Sequence, residues 1–324
     1  MLISRELACW TGDKEAQRAT QAAIEACALE SRGGAVHARF CEIFGALERP
    51  TAAQVVQAVE TAFADHSWLG RFVDTLAAAM RSDPFLNPPF ATLSSDIHSG
   101  LLVYEDDHVS IAAGVTRADA LAAKKNVARG RVSVGFTGYV SLLKFIRAGG
   151  AFLSFWEAPP IGAGFSAAAA GQCRRTGGRV LEDSELLVCD GRYQSYVIEH
   201  ASANLLILQA TIKADQAPVS VEYDAVSHGY VGCSATSDVA SRIQMISTLL
   251  RKLGDPRAYE TIVPMLDHPD FFVRWHVMRE LLGVDAAAAL PHLQHMASSD
   301  PHPDNRSAAA KVLARFDISD RKAA

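Results

Sequence analysis

The feature that most constrains this chain is a ladder of identical residues, 32 apart, near its carboxy terminus. Arg242, Arg274 and Arg306 keep that step, and so do Leu249, Leu281 and Leu313. Asp238 and Asp270 keep it as well, and each is suited to cap a helix. From Ser237 onward the apolar residues between these rungs recur at helical spacing. Coincident ladders mark stacked supersecondary units, none of which can hide its apolar face alone. Two full units and the first helix of a third fit into the sequence. Since about three repeats are the minimum for independent stability, the array is expected to lean on the rest of the protein.

The second unit reads Asp267-His268-Pro269-Asp270-Phe271-Phe272-Val273-Arg274, and the third Asp300-Pro301-His302-Pro303-Asp304-Asn305-Arg306. Both resemble the D-x-x-x-x-V-R-x-x-A core of HEAT repeats, including those of the phycobilisome-lyase type. The second unit has one extra residue before Val273, and the third has Asn305 where the family has Val. The resemblance runs from about residue 238 to 316. It implies a helical surface that binds a protein or peptide partner. Arg242, Arg274 and Arg306 are read as repeat residues, forming charge-assisted bonds between units or facing the partner, rather than as catalytic groups.

Before the array, the apolar period changes twice. Residues 12 to 83 read as helices. Asp13 caps the first, Gly33 and Gly34 break it, and Pro50 stops the second. Thr51 caps the third. The fourth carries Leu69, Phe72, Val73, Leu76 and Met80 as one buried stripe. Prolines between Ser82 and Pro89 end the helical region. Short apolar runs with Gly, Asp, Asn and Pro between them then succeed one another from Gly100 to Cys233. They include Val132–Phe136, Tyr139–Ile146, Phe152–Trp156, Val180–Glu182, Ser195–Glu199 and Leu205–Ile212, and they predict a sandwich or barrel. The stretch Gly162 to Gly171 is expected to be a mobile loop over it.

Glu182 to Gln194 resembles the second conserved motif of the cupins, in which a turn and a strand lead to a Gly followed three residues later by a metal-binding His. Gly191 matches that Gly, but Gln194 occupies the His position, and the first cupin motif with its HxH pair is missing. The resemblance implies a jelly-roll and argues against the usual cupin metal, so no cofactor is expected. The fold class expected is α+β multidomain: a helical segment over 1–90, an antiparallel cupin-like jelly-roll over 91–236, a HEAT-repeat stack over 237–318 and a tail over 319–324.

Bulk properties narrow the partners. Net charge is −5, and residues 238–324 carry eleven Lys and Arg against eleven Asp and Glu, so no basic field draws nucleic acid or an anionic membrane. No apolar run approaches the roughly 20 residues that span a bilayer, and Met1 to Asp13 lacks a signal-peptide core. The expected location is the cytoplasm. There the six scattered cysteines would be free and mostly buried thiols.

If the strand from Gln194 to His200 is regular, Gln194, Tyr196, Ile198 and His200 share one face. Gln209 interrupts the next apolar strand. Gln194, Tyr196, His200 and Gln209, with Trp156 as an aromatic wall, are the candidates for a small-ligand pocket. The bland alternative is strand-end exposure and core packing. His98, His108, His200 and His228 lack metal spacing, as do His292, His295 and His302. The reading is a non-catalytic adaptor that binds a protein partner through its repeats and a small ligand in its β domain, with a homodimer through strand edges. The alternative is a metal-independent lyase, isomerase or tailoring enzyme using Tyr196 and His200 as acid and base.

Overall fold

The computed structural model describes residues 5–88, 90–128, 133–162 and 164–323. Five helices open the chain: α1 (Arg5–Gly12), α2 (Lys14–Gly33), α3 (Ala35–Phe44), α4 (Ala52–Ala64) and α5 (Ser67–Ser82). Asp13 Oδ1 accepts the backbone N–H groups of Glu15 and Ala16 and so starts α2. Thr51 and Gln54 form a reciprocal capping box on α4. In α5 the buried stripe is narrower than its spacing suggests. Trp68 and Leu69 are buried, but Val73 and Met80 are exposed, because only the start of the helix and Phe72 reach the core.

The helices cover one face of a six-stranded antiparallel sheet. Its strands are β1 (Thr92–Ser94), β2 (His98–Glu105), β3 (Val109–Thr116), β5 (Val140–Arg147), β8 (Glu185–Asp190) and β10 (Leu205–Ile212), in the order β1-β2-β3-β10-β5-β8. Helix α6 (Ala118–Ala128) follows β3. Phe40, Phe44, Val55 and Phe63 pack onto Ile111, Leu142, Leu208 and Ala210. Strand β10 therefore meets helices on one face and the barrel interior on the other. That is why it reads as a continuous apolar run rather than an alternating one.

The facing layer consists of two short antiparallel sheets. One has the order β7-β6-β9, from β6 (Phe152–Glu157), β7 (Arg174–Val180) and β9 (Gln194–His200). The other has the order β12-β11-β4, from β4 (Ser133–Phe136), β11 (Val219–Asp224) and β12 (Tyr230–Ala235). Ser195 Oγ donates to Gly135 O at 2.6 Å and ties β9 to β4. Two antiparallel layers enclosing a common interior make the β region a jelly-roll. The strand expected at Val180–Glu182 lies earlier, at Arg174–Val180, where an edge position lets a polar, Gly-containing segment pair with β6. The run from Val132 is described from Ser133 onward, and Ala163 lies outside the described residues.

The carboxy-terminal region contains α7 (Asp238–Leu253), α8 (Ala258–Ile262) running into a 3-10 turn (Val263–Asp267), α9 (Phe271–Val284), α10 (Ala286–Ser299) and α11 (Pro303–Ala323). Helix α11 thus continues through most of the stretch expected as a tail. Capping differs from the expectation. Ser237, not Asp238, caps α7 through its hydroxyl, and Asp270 stands at the N-cap of α9 with no side-chain bond, its own N–H held by His268 Nδ1. The second repeat arginine donates from one nitrogen to the carbonyls of His268 and Pro269, each at 2.8 Å. The third does the same 32 residues on: Arg306 donates to the carbonyls of Asp300 and Pro301 at 2.6 and 3.1 Å. Arg274 also forks onto Asp300, with bonds of 2.9 and 2.8 Å. Arg242 is exposed. The residue 26 positions after it is His268, whereas the residue 26 after Arg274 is Asp300, so a histidine stands where Arg274 has its carboxylate. Leu249 is likewise exposed while Leu281 is fully buried.

The stretch expected to be a mobile loop is packed. Phe165 and Ala170 are buried with Tyr223, Val221 and Phe136. His302, stacked 3.7 Å from Phe271, bonds through Nε2 to Phe165 O at 2.8 Å, and Asp304 accepts Ala167 N–H at 2.8 Å. These contacts, with Tyr139 Oη donating to Thr236 O, join barrel and array. Of the cysteines, Cys173 and Cys189 are buried. Cys9, Cys41 and Cys233 are exposed, contrary to the expectation, because they lie on outward faces of helices and of edge strand β12.

Candidate functional site

The two layers of the jelly-roll do not close on each other. Between them lies a cavity of about 510 Å³, within the range that holds small organic ligands. The helix-covered sheet contributes Ser141 and Leu143 of β5, Cys189 of β8, and Ile207 and Gln209 of β10. The facing layer contributes Gln194, Tyr196 and Ile198 of β9. Leu143 of its lining belongs to a buried apolar cluster with Phe145, Leu153 and Leu205, which fills the space beside it.

The polar atoms at this surface are underused. Gln194 Oε1 accepts Asp190 N–H at 3.3 Å. Among the described residues the Ser141 hydroxyl, the Tyr196 hydroxyl and the Gln209 amide have no hydrogen-bond partner in the protein. Burial, and then the neighbouring Cys189, raise the Tyr196 phenol well above its ordinary value. Burial, and then Asp190, push the Cys189 thiol up to about 12. Every group deep in the cavity is therefore neutral at pH 7. Neutral donors and acceptors that face an open cavity without protein partners are free to bond a ligand's hydroxyl or amide in place of water.

Of the candidates from sequence, Gln194, Tyr196 and Gln209 meet in this cavity; His200 and Trp156 do not. Strand β9 is irregular where it pairs with β6: Leu153 opposes Ile198, but the adjacent Phe152 opposes His200. The bulge places an extra residue at Glu199 and breaks the alternation. His200 therefore swings to the outside, exposed and stacked on Phe152 with ring centroids 5.7 Å apart. The Tyr196–His200 acid–base pair is not assembled. Trp156 faces away from the cavity, its indole N–H on Ser154 Oγ at 3.0 Å, within the cluster of Val134 and Phe136. Glu199 accepts from Lys125 and from Ser154. Burial alone would raise its pKa, but those two bonds outweigh burial and leave it below the ordinary carboxylate value.

Sequence reasoning missed Ser141 and the mouth residues Lys124 and Lys125, and weighed His98 only as a metal ligand. Ser141 had a signal, a lone hydroxyl in the run Val-Ser-Leu-Leu. The lysines had none, since their place over the opening comes from the docking of α6. Gly191, matched to the cupin glycine, is required by close approach: a Cβ there would lie 2.5 Å from Tyr139 O. Among the described residues no three His, Cys, Asp or Glu side chains come together to hold a metal. His302 is buried on Phe271, away from the groove that His292 and His295 line.

A second concavity, of about 450 Å³, crosses the array between α7, α9 and α11, with Gln244, Phe272, Trp275, Arg279 and Lys311 among its lining. Among the described residues no helix is long and apolar enough to cross a membrane.

Residues 233–314 match the family model of HEAT repeats, a stretch that runs from within β12 to within α11. No curated protein sequence matches the chain. Several solved structures are similar in outline. Ectoine synthase from P. lautus is 8% identical, with 38% of this chain and 69% of that one covered, at a TM-score of 0.23. A cupin domain from Bordetella pertussis Tohama I is 10% identical, with 38% and 99% covered, at 0.23. A 7S globulin from Momordica charantia is 10% identical, with 42% and 36% covered, at 0.26; the chain spans about a third of its length. At these scores none of the three bears on ligand or reaction.

Proposed function

We propose that this chain is a ligand-binding adaptor: the jelly-roll holds a small organic molecule, and the HEAT-type array offers a surface to a protein or peptide. The observation that carries the reading is the set of Ser141, Tyr196 and Gln209, turned into a common cavity with no protein partner. The groove along α7, α9 and α11, where Phe272 and Trp275 offer apolar contact area, supports the second half. Aromatic residues supply much of the binding energy at protein interfaces. The bonds from His302 and Asp304 to the 165–167 stretch make the barrel and the array mechanical neighbours, so ligand and partner would sense one another.

Native mass spectrometry of the full chain tests the first half. The parent protein is expected to carry an adduct of small-molecule mass, and Ser141→Leu, which fills the cavity, is expected to lose it. Equal adducts on both proteins, or none on either, would contradict the reading.

A further inference from the structure

The mouth of the barrel carries a charge pattern that points to a ligand class. Among the described residues no Asp or Glu lines the cavity, whereas His98, Lys124 and Lys125 all do. Two of these three are already engaged. Lys125 Nζ lies 2.7 Å from Glu199 Oε2, and His98 Nδ1 lies 2.7 Å from Thr116 Oγ1. Loss of solvent around the His98 ring, and then the Lys124 charge, hold its pKa below 6.5, so it is neutral at pH 7. Lys124 is different. Its ion-pair contact is with the exposed Asp96 at 3.7 Å, beyond hydrogen-bond distance and open to water on both sides.

The reason the lysine stands there is the docking of α6. Leu121 is buried and anchors the helix against the barrel rim. Positions three and four residues on share its face, so Lys124 and Lys125 are carried to the opening. Lys125 is held by Glu199, and Lys124 is left beside the entrance.

The interior sets the orientation. The deep groups, Gln209, Ser141, Tyr196 and Cys189, are all uncharged at neutral pH, and an ionised group pushed in among them would be desolvated without compensation. A charge on the ligand therefore belongs at the mouth. A neutral hydroxyl or amide belongs at the floor, where donors and acceptors wait.

We propose that the barrel binds a small organic carboxylate, with its anion at Lys124 and a neutral polar group at Gln209, Tyr196 and Ser141. Among the described residues Lys124 is the one lysine at the mouth without a hydrogen-bonded carboxylate, and a single positive charge matches a single negative one, which favours a carboxylate over a dianionic phosphate. The assignment rests on the barrel being a ligand site and adds the charge class and direction of entry.

The test uses matched acids and amides that differ in charge and little in shape: phenylacetate, 4-hydroxyphenylacetate and indole-3-acetate, each against its amide. They are titrated into the full chain and followed by calorimetry or ligand-observed NMR. Each acid is expected to bind roughly fivefold more tightly than its amide, the scale of one partly exposed ion pair, and the preference should shrink with added salt. Lys124→Met should abolish the preference while leaving amide affinity unchanged, and Lys124→Arg should retain it. Lys124 is largely exposed, so these variants should fold as the parent does. Amides that bind as well as the acids, or a preference that survives Lys124→Met, would overturn the carboxylate assignment and leave the ligand site standing. No saturable binding by any of the six compounds, with Ser141→Leu also without effect on native mass, would overturn both.

Discussion

At the junction of α9 and α11, Arg274 and Asp300 are both almost fully buried, and every nitrogen and oxygen of their side chains is bonded: Arg274 bonds two backbone carbonyls and forks onto Asp300, which also accepts from Asn305 and from the His302 backbone N–H. Inside the barrel, Ser141 is buried and Tyr196 and Gln209 are half-buried, and the protein gives their side chains no partner. Burial at the junction costs polar groups their water, and there the fold returns the hydrogen bonds; the cavity groups stay open to water or a ligand. A saturated buried network holds units in register. An unsaturated one facing open space is stability forgone, as binding sites commonly show.

The comparison can be broken most forcefully at the junction. Asp300→Ala leaves the Arg274 charge buried and alone, and should cost about 3–5 kcal/mol in urea unfolding of the full chain. A loss below about 1 kcal/mol would mean the pair is no clamp. The pH dependence has a definite sign. Burial would raise the Asp300 pKa, but bonds from Arg274, Asn305 and the His302 backbone outweigh it and hold the pKa below 3.8. A depressed folded value means the stabilisation is fully present above the unfolded value and is lost as pH falls through the folded one. The gap between parent and Asp300→Ala should therefore stay constant near neutrality and narrow only in strong acid, below about pH 4.

A finer test lies along the arginine ladder. Arg306→Ala removes two bonds from a cation to backbone carbonyls at a partly exposed site, and should cost about 1.5 kcal/mol. Arg242→Ala should be indistinguishable from the parent in the same assay. Equal losses at all three arginines would mean that the sequence step, and not the carboxylate 26 residues on, sets their worth.

That ladder also shows what the sequence made legible. Helix pairs at a 32-residue step, the caps at Asp13 and Thr51, and the jelly-roll strands were readable because period and capping chemistry are local. Whether an arginine of the ladder is buried and clamped was not, because it depends on a residue in the next unit: His268 for Arg242, Asp300 for Arg274. In the barrel, Gln194, Tyr196 and Gln209 could be picked out as polar residues in apolar strands. The inward face assumed for His200 required a regular strand, and one bulge at Glu199 removed it. Lys124 was invisible because its role comes from the path of α6 across the opening, a tertiary fact with no periodic signature.

The central claim, that the barrel interior is held open for a ligand, is tested most directly by unfolding the ligand-free full chain with Gln209→Leu in urea. Removing a polar group that has no protein partner, and adding apolar contact at the same place, should leave stability equal to the parent or raise it by up to about 1 kcal/mol. A loss of more than about 1 kcal/mol would show that Gln209 serves the fold itself and would contradict the account.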